Sequence, residues 1–224
     1  KKIMENLTLL IPAKFESESL PSVLEELKKF NYKQCVILKE TDFKTINSIK
    51  NFNVEIINQQ GSGYGNALIE GINSCKTKFF CIFNADGSFN PNEISKIIEQ
   101  ISKNNKDFIF ASRYEKQAGS EDDTIITLIG NYFFSLIGRK IFNLGITDIL
   151  YTFVVGDVQK ARSLNLLSND FRFCVELPIK AKKKNFKLGV FPSYERKRIA
   201  GKKKVNAFKD GFLILKKLIE LYFN

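Results

Sequence analysis

Phe79-Phe80-Cys81-Ile82-Phe83-Asn84-Ala85-Asp86-Gly87-Ser88 is the stretch on which the reading of this 224-residue chain turns. Five apolar residues in a row, bounded by turn formers, suit a strand buried on both faces of a sheet. The Asp-Gly step just beyond it presents oxygen ligands at the strand's end. Two such oxygens, from Asn84 and Asp86, suit a hard divalent cation, Mg2+ or Mn2+, which keeps waters and bridges to substrate phosphates. The alternative at this point is a plain turn into the helix that Pro91 opens.

On either side of this stretch, short apolar runs alternate with helical patterns. Leu7–Ile11, Cys35–Leu38 and Val54–Ile57 are strand candidates before it, and Phe108–Ala111 is one after it. Ser19 is placed as an N-cap with Pro21 in the first turn, and Val23, Leu24, Leu27 and Phe30 follow at one-face spacing. A glycine-rich turn leads into a helix through Ile72, and Ile94, Ile97, Ile98 and Ile101 stripe another helix. This rhythm predicts an α/β fold, a mostly parallel sheet flanked by helices on both faces. Beyond Arg113 the pattern changes. Gly119–Asp123 reads as a mobile acidic loop, and Ile125–Leu144 as an apolar helix bent near Gly138. Phe171–Lys184 reads as a strand or turn into a helix, and Lys187–Phe191 as a strand. Asn206–Tyr222 reads as an amphipathic helix with Phe208, Phe212, Leu215 and Ile219 on one side. No linker interrupts the chain, so one domain is expected over residues 1–224.

Composition narrows the chemistry. The chain has no histidine, which removes Ser-His-Asp and Cys-His catalysis and every imidazole base. Its four cysteines, at 35, 75, 81 and 174, form no CxxC pair, so zinc is excluded and reduced, buried thiols are expected. Residues 1–150 carry 18 Lys and Arg against 18 Asp and Glu, whereas residues 151–224 carry 17 against 6. The whole net charge of +11 therefore sits in the last third and calls for an anionic partner. Without interleaved aromatics or a known motif spacing, nucleic acid is not that partner. The longest uncharged stretch, Thr124–Gly138, is shorter than the ~20 apolar residues that span a bilayer. No signal-peptide pattern opens the sequence. The expected location is cytoplasmic, with the last helix a candidate for peripheral association at the inner face of the membrane.

In open parallel sheets, ligands bind beyond the carboxyl ends of the strands. The groups at those ends are Pro12-Ala13-Lys14-Phe15-Glu16, the run Gln59–Ala67 with Gly61, Gly63 and Gly65, Asn84–Ser88, and Ala111-Ser112-Arg113-Tyr114. The glycines let backbone N–H groups approach a phosphate or ribose, or else make a tight strand-to-helix turn. They do not spell the dinucleotide fingerprint. In the basic third, Tyr194–Lys204 sets six cations around Gly201, a loop suited to close over a diphosphate. A solvated basic loop is the alternative.

Taken in order, these segments resemble the family-2 inverting glycosyltransferases of GT-A fold, of the dolichyl- or polyprenyl-phosphate sugar transferase type. IPAKFESESLPSVLEEL (11–27) resembles that family's IPAYNEEENLPxVLxxL, QGSGYGNALIEGI (60–72) its GKGYGxAxxxGI, and NADGSFNPNEI (84–94) its DADGSxxPxxI. ASRY (111–114) resembles GSRY, and TDILYTF (147–153) resembles TDxxxGF. FRFCVELPIKA (171–181) and RIAGKKK (198–204) resemble FxFExELxxKA and RxxGxSK. The matches keep their order over nearly the whole chain.

The resemblance implies transfer of a sugar from a metal-bound nucleoside-diphosphate sugar to a polyprenyl phosphate or a glycan hydroxyl, in cell-envelope polysaccharide or glycolipid synthesis. It makes residues 1–115 the nucleotide-sugar half and residues 116–224 the acceptor side. Pro12, Ala13 and Glu16 would line the nucleotide pocket, and Asp86 and Asn84 would hold the metal. Arg113 and Asp148 would lie near the sugar or acceptor, and Arg198 and Lys204 would grip phosphates. Asp148 or Glu176 would be the base if the acceptor is a hydroxyl. Lys39-Glu40-Thr41 departs from the family's Asp-Asp-Gly-Ser, Asn84 from an aspartate, Ser62 from a lysine, Thr152 from a glycine and Lys203 from a serine. A sugar-nucleotide-binding protein of the same fold that no longer turns over is the alternative these departures suggest.

Overall fold

The computed structural model describes residues 6–201, 204 and 206–223. Lys202 and Lys203 of the basic loop lie outside the described residues. In chain order the elements are strand β1 (Leu7–Pro12), helix α1 (Leu20–Leu27), β2 (Lys33–Leu38), α2 (Phe43–Ile49), β3 (Glu55–Asn58), α3 (Tyr64–Ser74) and β4 (Phe79–Ile82). A 3-10 turn (Pro91–Glu93), α4 (Ile94–Lys103), β5 (Phe108–Ser112) and β6 (Gly119–Ser120) come next. α5 (Ile125–Ile141), β7 (Val154–Asp157), α6 (Val158–Ser163), α7 (Phe173–Lys183), β8 (Leu188–Pro192), β9 (Tyr194–Glu195) and α8 (Ala207–Phe223) complete the order.

Seven strands form one sheet in the order β3-β2-β1-β4-β7-β5-β8. All pairings are parallel except those of β7, which runs antiparallel to both β4 and β5. Alternate residues along the strands feed two cores. Leu10, Ile37, Phe80, Ile82, Phe108 and Phe110 pack with helices α3, α6, α7 and α8. Leu9, Ile11, Val36, Leu38, Cys81 and Ile109 pack with α1 and α4 on the opposite face. The strands are therefore apolar on both sides, as a sheet covered on both faces requires. The four cysteines are free and buried.

The outline expected from sequence stands, with differences that have physical causes. β7 and α6 escaped periodicity because β7 is four residues long and contains Gly156. That glycine is required: a Cβ there would lie 2.3 Å from the Phe108 ring and 3.0 Å from that of Phe80. Ser19 does not cap α1 with its side chain; its hydroxyl donates to Glu16 Oε2 at 2.7 Å instead. α5 ends at Ile141 rather than Leu144, its last turn closed by Phe142 N donating to the Gly138 carbonyl. Gly119–Asp123 is not a loose loop. Gly119-Ser120 pairs as β6 with β9 in a small second sheet, and the Ser120 hydroxyl accepts from the Asp122 and Asp123 amides.

Candidate active site

The carboxyl ends of β1, β3, β4 and β5 gather at one edge of the sheet and wall a cavity of about 440 Å³. β1 contributes Pro12, Ala13, Lys14 and Glu16; the turn after β3 contributes Gln59, Gly63 and Tyr64; β4 contributes Asn84, Ala85, Asp86, Ser88 and Phe89; and β5 contributes Arg113. The segment after β9 brings Arg198 and Lys204 to the same space. Residues far apart in sequence therefore meet because parallel strands point their carboxyl ends the same way.

The Asp86-Gly87-Ser88 turn is held from two sides. Asp86 Oδ1 accepts from the Ser88 amide at 3.0 Å and from its hydroxyl at 2.7 Å. Gly87 has a φ of 82°, and a Cβ there would lie 2.5 Å from Ile199. The basic segment lies along this turn, with Arg196 N donating to the Ser88 carbonyl and Ile199 N to the Asp86 carbonyl, each at 2.8 Å. Asp86 Oδ2 makes no hydrogen bond among the described residues and stands 3.6 Å from Arg198 Nη1.

That basic segment is strapped down by ion pairs. Arg196 is bidentate to Glu26 on α1 at 2.8 and 3.0 Å. Arg198 donates to both oxygens of Asp122, at 3.2 and 2.7 Å. The Asp122 hydrogen bond raises the Arg198 pKa further; burial opposes the rise and nearby Asp86 adds to it. Lys204 reaches the Glu16 carboxylate and the Lys14 carbonyl. Two of the strap's cations thus already face the cavity.

Two carboxylates expected near the chemistry are buried behind the cavity lining. Asp148 is fully buried, at 0% exposure. It accepts from Arg113 Nε at 2.7 Å, Nη2 at 3.0 Å and the Arg113 amide at 3.2 Å. Arg113 also meets Glu195 at 3.0 Å and Asp123 at 3.5 Å. Burial opposes its charge, but Asp148 and Glu195 outweigh burial and hold the pKa well above the ordinary value. Glu176, also at 0% exposure, accepts from the Leu167 and Ser168 amides and from Lys180. Neither carboxylate lines the cavity. The base role considered for them is corrected on geometry: a carboxylate with no exposed surface and every oxygen engaged is not placed to take a proton from an acceptor.

The glycines divide. Gly63 lines the cavity, whereas Gly61 does not and donates its amide to Glu70 at 2.9 Å. Gly63 (φ 99°) and Gly65 instead let the chain at 168–170 approach, since a Cβ on either would fall 2.2 or 2.1 Å from a carbonyl of that segment. Lys39, the departure after β2, is outside the cavity lining and donates to the Gln60 carbonyl at 2.9 Å.

Sequence reasoning passed over several lining residues. Tyr64 shares a 2.7 Å hydrogen bond with Thr152 and donates to Asn84 Oδ1 at 3.4 Å; burial drives its pKa well up. Its signal was its place inside the glycine run. Asp122 and Asp123 lay in the acidic run read as a loop. The lining also includes Thr127 and Asn131 of α5, Leu150, Phe171, Cys174, and Asp210 and Ile214 of α8. Leu150, Phe171 and Cys174 lie inside the segments 147–153 and 171–181, whereas Thr127, Asn131, Asp210 and Ile214 stand in stretches without a motif.

A metal fits the donor set in one way. Among the described residues no group of three or more Cys, Asp or Glu side chains forms a cage. Asp86 with Asn84 offers hard oxygens only, so substrate phosphate and water would complete the shell, which suits Mg2+ or Mn2+.

Comparison with known proteins agrees with this geometry. The model of the family described as glycosyl transferase family 2 matches residues 8–163. A UDP-N-acetylglucosamine–dolichyl-phosphate N-acetylglucosaminyltransferase of Methanococcus voltae is 25% identical over 209 residues, covering 82% of this chain and 83% of its own. Among solved structures, glucosyl-3-phosphoglycerate synthase of Mycobacterium tuberculosis, crystallised with Mn2+, UDP and glucosyl-3-phosphoglycerate, superposes with a TM-score of 0.76 at 10% identity. The match covers 98% of this chain and 80% of that one. Mannosyl-3-phosphoglycerate synthase of Rubrobacter xylanophilus superposes with a TM-score of 0.73 at 11% identity, over 98% and 73% of the two chains.

Proposed function

The chain belongs to glycosyl transferase family 2, and we propose that it moves a sugar, with inversion at the anomeric carbon, from a nucleoside-diphosphate donor to a phosphate carried on a lipid. One observation carries the reading: four strand ends and a basic strap converge on a single cavity, where Asp86 and Arg198 stand 3.6 Å apart. In this reading residues 1–115 hold the donor and residues 116–224 face the acceptor.

Pro12, Ala13, Glu16 and Gly63 line the nucleotide, and Asp86 with Asn84 would hold Mg2+ or Mn2+. The bound cation would offset charge on the departing diphosphate. The Mn2+ and UDP found with the mycobacterial synthase support a nucleotide donor bound together with a divalent metal. Arg198 and Lys204 turn from Asp122 and Glu16 to the phosphates as charge-assisted donors. Arg113, clamped by Asp148 and Glu195, keeps its guanidinium fixed beside the sugar. The acceptor oxygen forms its bond to the anomeric carbon as the bond to the diphosphate breaks, and the diphosphate leaves held by Arg198 and Lys204. Positioning and charge do most of the work.

A phosphate acceptor is an anionic nucleophile and needs no base. That agrees with a chain lacking histidine, in which Asp148 and Glu176 are buried. The dolichyl-phosphate acceptor of the Methanococcus relative supports a lipid phosphate.

The test is a thermal-shift panel of UDP-, GDP- and dTDP-sugars with and without Mn2+, followed by transfer of labelled sugar to a polyprenyl phosphate. One nucleotide is expected to raise the melting temperature in a Mn2+-dependent way, since a ligand that favours the folded state stabilises it by mass action. Label is then expected on the lipid. Binding without transfer to any acceptor would indicate the non-catalytic binder, and no shift with any donor would overturn the reading.

A further inference from the structure

Asn84 and Thr152 are two of the places where the sequence leaves the family's pattern, an asparagine for an aspartate and a threonine for a glycine. They are far apart in the chain, yet both line the cavity, and the Tyr64 side chain joins them. Its hydroxyl shares a 2.7 Å hydrogen bond with Thr152 Oγ1 and donates to Asn84 Oδ1 at 3.4 Å. Tyr64 opens α3 directly after Gly63. Its ring stacks on Phe171, with centroids 5.1 Å apart and planes at 21°, so the ring is held independently of its hydroxyl. Burial above all lifts its pKa well beyond the ordinary 10.0, and the hydroxyl keeps its proton.

A tyrosine hydroxyl has one proton to give, and Asn84 Oδ1 can only accept. The Tyr64 proton is therefore used at Asn84, and Thr152 is the donor in the 2.7 Å pair. A one-way chain of donors runs from Thr152 through Tyr64 to Asn84. No other hydrogen bond among the described residues holds the Asn84 side chain. The last contact is long, so it selects the orientation of the amide rather than clamping it. An aspartate at this position needs no such guide, because its two oxygens are equivalent and either can meet a cation. The two ends of an amide differ: turned over, it presents an NH2 group, which offers a hard cation no oxygen. An asparagine thus makes orientation matter, and the Thr152 hydroxyl, which a glycine lacks, supplies what sets it.

We propose that Thr152 and Tyr64 are positioning residues for the complex of metal and donor, keeping Asn84 Oδ1 rather than its NH2 group available to the cation. The amide oxygen has two lone pairs, and Tyr64 uses one. The asparagine and the threonine are then one change rather than two. The proposal rests on the reading that Asp86 and Asn84 hold the cation, and it deepens that reading: Tyr64 and Thr152 act through Asn84, as the outer partners of a metal ligand do.

The test is a mutant cycle read by calorimetric binding of UDP, GDP and dTDP, each with Mn2+ and with the metal removed by EDTA. The quantity compared is the gain in diphosphate affinity that Mn2+ brings. Tyr64→Phe and Thr152→Val are each expected to cut that gain roughly tenfold while metal-free affinity and cooperative melting persist. Thr152→Ser, which keeps the hydroxyl, is expected to retain it. On an Asn84→Asp background, Thr152→Val is expected to change nothing, because either carboxylate oxygen serves. An undiminished gain in both single variants, or the same loss on the Asn84→Asp background, would overturn the proposal and leave the metal reading standing. If none of the three diphosphates binds the wild type more tightly with Mn2+, the metal reading falls and the proposal with it.

Discussion

Asp148 reaches no solvent, yet it holds Arg113 through three hydrogen bonds. A carboxylate so placed works through the guanidinium it fixes, as a positioning residue. Asp148→Asn removes the charge and leaves a buried arginine short of its partner, which costs about 3 kcal/mol or more. The expected outcome is therefore a large fall in the urea midpoint together with the loss of activity. An Asn variant with unchanged stability and no activity would instead return Asp148 to the role of a base. The motif Thr147-Asp148 was legible in the sequence, but its partner was not, because Glu195, Asp123 and Asp148 meet Arg113 only through the fold. The Asp86 turn was the most legible site feature, since both its strand and its Asp-Gly step are local.

At the scale of elements, α7 and the chain before it are joined by Glu176. Its carboxylate collects the amides of Leu167 and Ser168 and the ammonium of Lys180, so the first turn of α7 pins the segment that packs on Gly63 and Gly65. Burial alone would raise the Glu176 pKa, but the bonds from Lys180 and Ser168, with Lys217 nearby, hold it below the ordinary 4.5. A depressed carboxylate adds stability that is present above the unfolded value and lost as pH falls through the folded one. Glu176→Gln is thus expected to melt well below the wild type at pH 7, with the gap closing as pH drops below 4.5. A gap that stays constant across that window would contradict the ionic clamp. Elements with a long apolar stripe, such as α4, were readable from spacing. β6 and β9 were not, since strands of two residues carry no alternation, and β7 was not, because Gly156 and Asp157 interrupt its apolar run.

For the whole molecule, the parallel rhythm of the first 115 residues was enough to place four ligand-bearing strand ends on one edge. The antiparallel β7 and the return of the chain through β8 and β9 bring the basic strap over that edge. The closure was invisible in sequence, because Arg198 finds Asp122 and Lys204 finds Glu16 across long stretches of chain. The face that α5 buries, through Asn131, Phe134, Ser135 and Gly138, was missed for another reason: its run of apolar residues reads as a core helix until the packing shows which side is buried.

Calorimetric titration of the preferred nucleoside-diphosphate sugar, with Mn2+, into the wild type and Asp86→Ala tests the shared cavity most directly. Metal-dependent binding to the wild type and none to Asp86→Ala is expected, with the variant still folded. Equal, Mn2+-dependent affinity for both proteins would contradict it, because the cation that joins donor to protein would then be held somewhere else.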